Sequence, residues 1–180
     1  MPRLRYKQTR PEVHKSAYMA PTVSLIGDVV IGAQSSLWFG VVARGDINLI
    51  RIGQRTNIQD GTIIHVSAPG NGTHIGDDVT VGHMAVLHDC TLQDGSFVAI
   101  KACVLDGAVV ESGAMVAAGA LVTPGKVVRS GELWSGVPAK PARALKPEEV
   151  DMIRWIPEHY VELAEEYSRQ ARINEPRYNK

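Results

Sequence analysis

Cysteine and net charge are scarce in this chain, and long apolar runs are absent. Two cysteines, Cys90 and Cys103, occur in 180 residues, too few for a disulfide framework. Both fall in apolar, repetitive stretches, so they are expected as small buried thiols in a reducing, cytoplasmic setting. Nineteen Lys and Arg balance nineteen Asp and Glu, which argues against a nucleic-acid footprint and against attraction to an anionic membrane. No run of about 18 apolar residues is present, so no membrane span is expected. The basic opening MPRLRYKQTR leads into PEVHKSAYMAP rather than an apolar core; it reads as a lead-in arm over residues 1–12, not as a signal peptide.

What the chain does contain is a repeat. Its 44% hydrophobic content suits one domain with a sizeable core, and the aliphatic residues recur every six positions. Val13, Met19, Leu25, Ile31 and Leu37 form one series, and Ile52, Ile58 and Ile64 a second. A third runs Ile75, Val81, Leu87 and, after one five-residue step, Leu92, Val98, Val104, Val110, Val116, Val122 and Val128. A period of six fits neither the 3.6 of a helix nor the alternation of a hairpin. It fits a flat strand followed by a corner, three of which close a triangular coil of about 18 residues, with one aliphatic side chain per hexad pointing inward. The expected fold is therefore an all-β solenoid over residues 13–145. A β-sandwich would show turn signals every 8–12 residues instead.

Two stretches break the period: RGDINLI, after Ala43, and HVSAPGNGTH, after Ile64. Interruptions of this kind on a solenoid are where function is usually carried. After GVPAKPARALKP the pattern becomes helical, with Val150, Ile153, Ile156, Tyr160, Leu163 and Tyr167 at helical spacing, acids near the start and arginines near the end. Residues 146–180 are read as a helical segment lying along the solenoid, kinked or split at Pro157.

Three histidines bear on chemistry. His65 and His83 are 18 residues apart, one full coil, which predicts that they stack on neighbouring rungs; His88 falls in the next hexad, round the corner. Imidazole is a common ligand for zinc and related divalent ions, and three histidines with an open fourth position make a catalytic site. The bland alternative is polar histidines at coil corners.

The stretch RGDINLIRIGQRTNIQDGTIIHV, followed by VGHMAVLHDC, resembles the γ-class carbonic anhydrases and their carbonic-anhydrase-like relatives, over about residues 13–145. The resemblance implies a left-handed parallel β-helix, whose hand is an exception to the usual crossover rule, and a homotrimer with metal between subunits. In that family His65, His83 and His88 match the metal-binding histidines, the equivalents of His65 and His88 coming from one chain and that of His83 from its neighbour. Zn²⁺, or Fe²⁺ or Co²⁺, would lower the pKa of bound water from 15.7 towards about 7, and the resulting metal-bound hydroxide would convert CO₂ to bicarbonate. By the same resemblance Gln59 matches a residue that hydrogen-bonds the metal-bound water, with Asn57 and Asp60 close by, and Arg44 and Asp46 match an interface ion pair. Tyr160 either packs or reaches the site from the helix.

The chain departs from the founding family pattern in two places. Ile47 follows Asp46 where a glutamate is usual, and the loop VSAPGNGTH carries no carboxylate. A proton must leave the site in each cycle, so His74 in that loop is a candidate substitute carrier. Two other functions stay open because this fold hosts several: an acyl-CoA-acting enzyme (acyltransferase or thioesterase), and a non-catalytic metal-binding trimer that recruits a protein partner.

Overall fold

The computed structural model of the chain describes residues 3–174. It is the expected left-handed parallel β-helix, closed by one helix along its side. Each coil contributes a short strand to three faces in turn, and strands on each face pair in parallel with those of the coils before and after.

The first face carries the opening halves of Ser24–Ile31 and Val42–Ile52, then Ile63–His65, Val86–His88, Cys103–Val104 and Leu121–Val122. Its register stacks Leu25, Ala43, Ile64, Leu87, Val104 and Val122 into one inward ladder, all with no measurable exposure. The second face stacks Ile31, Ile52, Ile75, Leu92, Val110 and Val128, and the third Met19, Leu37, Ile58, Val81, Val98 and Val116. The hexad residues are thus the core. At the corners the backbone must turn into the left-handed region, and Gly107 and Gly125, stacked one coil apart, take it at φ 67° and 69°.

Within the segment expected as an arm, Arg3–Leu4 already pairs in parallel with Leu25 and Ile26, and Glu12–Val13 with Val30 and Ile31. Cys90 is buried, but the expectation for Cys103 is corrected: it is only half-buried, because it precedes the inward Val104 and so points outward on the first face.

The helix, α1, spans Pro147–Asn174 and packs on the third face, against Tyr18–Met19, Ser36–Leu37 and Thr80–Val81. Pro147 occupies its first turn, and the Glu149 carboxylate accepts from the Lys146 amide at 2.9 Å, capping the helix start. It runs unbroken through Pro157, contrary to the expected split; that residue is buried against the solenoid along with Ile153 and Ala164. Trp38 anchors the contact, its ring 5.5 Å from Tyr160 and 5.1 Å from Tyr167. No helix among the described residues is long and apolar enough to cross a membrane.

Candidate metal centre

The register places His65 opposite His88, not His83. The HVSAPGNGTH insertion lengthens the intervening coil, so the rung partner lies 23 residues on, and the expected stacking of His65 with His83 is not realised. The rings of His65 and His88 are 5.2 Å apart between centroids, and His65 Nδ1 lies 3.2 Å from His88 Nε2.

The other nitrogen of each ring meets a carboxylate. His65 Nε2 is 3.1 Å from Asp46 Oδ1, and His88 Nδ1 is 2.7 Å from Asp106 Oδ1. An ionised carboxylate only accepts, so when both imidazoles are neutral these two nitrogens carry the protons and the two that face each other present lone pairs. Burial opposes ionisation of Asp46, but hydrogen bonds from Arg44 and His65 outweigh it and hold the carboxyl below its ordinary value. Asp106 is held low by hydrogen bonds from Ser67 and from His88.

Each carboxylate is itself fixed. Arg44 Nη1 donates to Asp46 Oδ2 at 2.6 Å, and Ser67 Oγ donates to Asp106 Oδ2 at 2.5 Å. Asp106 and Ser67 escaped the sequence reading. The signal for Asp106 was its place 18 residues after His88, one coil on; Ser67 carried none, because a loop has no register.

The remaining expected residues sit elsewhere. His83 lies at the corner between the third and first faces, at the opposite end of the first face from His65 and His88, with Nδ1 2.9 Å from Asp60 Oδ2. Gln59 shares that corner. Its amide nitrogen donates to Asn57 Oδ1 at 3.1 Å, and Asn57 donates to Thr80 Oγ1 at 2.9 Å. Tyr160 packs on Trp38, and burial, then the nearby Asp60 charge, raise its pKa. His74 is the middle residue of the second-face strand Thr73–Ile75 and its ring bonds the Asn71 carbonyl at 2.9 Å; the structure does not bring it to the His65 and His88 pair. Among the described residues, no three His, Cys, Asp or Glu side chains gather to hold a metal within one chain.

The paired imidazoles nevertheless fit a divalent cation. Two lone pairs at 3.2 Å repel unless a cation, proton or metal, lies between them, and two nitrogens each about 2.05 Å from one tetrahedral ion stand about 3.3 Å apart. A carboxylate behind each imidazole is the arrangement that orients metal-binding histidines.

No protein-family model matches the chain. Individual relatives do. A protein named carbonic anhydrase from Geobacillus kaustophilus is 44% identical over 162 residues, covering 90% of this chain and 88% of its own. The mitochondrial γ carbonic anhydrase 2 of Arabidopsis thaliana is 48% identical over 160 residues, 86% of this chain. The chain belongs to the γ-carbonic-anhydrase-like family of hexapeptide-repeat proteins. It spans 58% of the length of that plant member. Among solved structures, a hexapeptide transferase family protein from Anaplasma phagocytophilum superimposes with a TM-score of 0.88 at 44% identity, over 91% of this chain and 96% of that one. Members of this family thus carry both names, and the fold alone does not choose between them.

Proposed function

We propose that the chain is one subunit of a homotrimeric, metal-dependent enzyme of the γ carbonic anhydrase type that hydrates CO₂ reversibly to bicarbonate. The observation that carries this reading is the pair of facing ring nitrogens on His65 and His88, 3.2 Å apart, each imidazole backed by a carboxylate. His65 and His88 of one chain and the His83 position of the next would hold the ion, Zn²⁺ by donor chemistry, with Fe²⁺ or Co²⁺ compatible. Bound there, the ion supplies Lewis acidity that lets water lose a proton near neutral pH.

The chain's own residues prepare the rest. Asp60 leaves the Nε2 of His83 as the ligating atom, as Asp46 and Asp106 do for the facing nitrogens. The hydrogen-bond chain from Thr80 through Asn57 fixes the Gln59 amide, leaving its oxygen free to accept a hydrogen bond from the reacting water and orient it. The first face supports a trimer: Ile63, Val86, Met84 and Ile100 are 41%, 38%, 58% and 48% exposed along its outside and its leading corner, an apolar strip suited to cover by another copy. Arg44 and Asp46 stand at the far edge of that face, where the neighbour's His83 would arrive.

The test is CO₂ hydration by stopped flow on protein prepared without oxygen, with metal content assayed in the same sample. Metal-dependent turnover abolished by His83→Ala is expected. A fully metallated trimer without turnover would overturn the carbonic anhydrase reading in favour of acyl-CoA chemistry or a recruiting scaffold; Ile47, 51% exposed where the family pattern has an acid, is the feature that favours those alternatives.

A further inference from the structure

His88 is held differently from His65. The partner of His65, Asp46, is steadied by a cation two residues away, Arg44. The partner of His88, Asp106, arrives from the next coil, and its second oxygen is taken by Ser67 from the loop that follows His65. That loop is built to present Ser67. Asp89, 6% exposed, accepts from the Gly72 amide at 2.8 Å and the Ser67 amide at 3.4 Å. From the other side, the Asn48 amide nitrogen donates to the Ser67 and Gly70 carbonyls at 3.1 and 2.9 Å. Gly70 fits only because it lacks a side chain, since a Cβ there would stand 2.5 Å from the Asp89 oxygens.

With one carboxylate oxygen engaged by Ser67, the other is aimed at His88 Nδ1. An acceptor at Nδ1 puts the proton there, and the lone pair then falls on Nε2, the atom that faces His65. Ser67 therefore does with a hydroxyl what Arg44 does with a guanidinium, and each acts from one of the two stretches that interrupt the hexad period.

We infer that Asp106, fixed by Ser67, is the positioning residue that sets the tautomer and orientation of His88 for metal, so that the inserted loop tunes metal affinity through a Ser67, Asp106 and His88 relay. This rests on the metal-binding reading above. The relay moves no proton to substrate and makes no contact with it. It replaces nothing in the missing acidic loop; it gives the loop a different task, holding a ligand.

The experiment is a cobalt titration of the metal-stripped full-length protein without oxygen, following visible absorbance and measuring affinity by competition with a chelator, with assembly checked by sedimentation. Asp106→Ala should weaken Co²⁺ binding 10–100-fold, the usual cost of removing a carboxylate behind a ligating histidine, and change the cobalt spectrum. Ser67→Ala should weaken it in the same direction by less, Ser67→Thr should bind as wild type does, and Ser67→Ala combined with Asp106→Ala should be no weaker than Asp106→Ala alone. Wild-type affinity and spectrum in both alanine variants would overturn the inference while leaving the metal site standing. Additive losses would overturn the relay, because Ser67 would then act independently of Asp106. Wild-type protein that assembles but takes up no cobalt would overturn the metal reading and this inference together. Should Asp106→Ala not assemble, Ser67→Ala against Ser67→Thr decides by itself.

Discussion

His65 Nδ1 and His88 Nε2 face each other at 3.2 Å across adjacent rungs, while His83 sits at the far end of the same face on Asp60. On the proposed reading one chain carries two parts of the site at two edges, and a neighbouring copy would join them.

Subunit complementation follows from this. Neither His83→Ala nor His88→Ala should bind metal as a homotrimer. Co-expressed in equal amounts, the two should recover roughly a quarter of the wild-type sites, the share expected from random assortment into closed trimers in which one interface still has all three histidines. Metal content and CO₂ hydration of the mixture both read this. No recovery would place all three ligands in one chain, or no metal site at all.

The loop clamp gives a second expectation. Asp89→Ala leaves the Gly72 amide without its acceptor in a buried setting, a loss of about 1–3 kcal/mol, and should raise amide exchange across residues 66–72 with little change elsewhere. Asp89→Asn keeps one carbonyl oxygen and should lose less. Equal exchange in wild type and Asp89→Ala would show that the loop holds its shape without that carboxylate.

Leu87 gives the corresponding number for the core. It is fully buried between Ile64 and Val104 on the first-face ladder, so Leu87→Ala removes packing on both sides and should cost about 2–5 kcal/mol, read as a lowered urea midpoint at fixed subunit concentration. Val86→Ala, one residue away but pointing outward, should leave the core of the subunit intact and act on assembly instead. Similar effects of both on subunit unfolding would contradict the inward and outward assignment.

The hexad period made Leu87 legible as core and Val86 as surface, because a solenoid repeats one local conformation and its pattern is read directly. It also made the expected length of a coil legible, and there it misled. His65 and His83 have the spacing of one regular coil, yet the inserted loop moves the true rung partner to His88; register is a property of the coil as built and cannot be counted through a loop of unknown path. The resemblance to a known family assigned the same two histidines to one chain where spacing did not. Asp106 lay in plain view at one coil beyond His88, but a lone Asp before a corner glycine also reads as turn chemistry. Pro157 was weighed by its local cost, the missing amide and the crowded carbonyl. Packing of Ile153, Pro157 and Ala164 on the third face outweighs that cost, an effect confined to tertiary contacts.

The start of α1 carries a pH dependence whose sign can be worked out. Hydrogen bonds from Arg143 and from the Lys146 amide lower the Glu149 pKa from 4.5 to about 2. Arg143 is bidentate, at 2.7 Å to each carboxylate oxygen. In the unfolded chain, where these partners are absent, the group takes up its proton at the ordinary value. A depressed folded pKa means that the contribution of Glu149 is fully present above about 4.5 and is lost as the pH falls through about 2. Acidification across that window should therefore loosen the first turn of α1 and its link to Arg143 in Ala139–Ala144. Glu149→Gln keeps an oxygen to accept from the Lys146 amide but discards the charge. Above pH 5 it should show faster amide exchange in the first helical turn than wild type, and the difference should shrink as the pH falls from about 4.5 through about 2, the window in which the wild-type carboxylate's contribution is lost. No difference at any pH would mean that the carboxylate's charge contributes nothing to the cap and that the hydrogen bond at Lys146 alone holds the helix start.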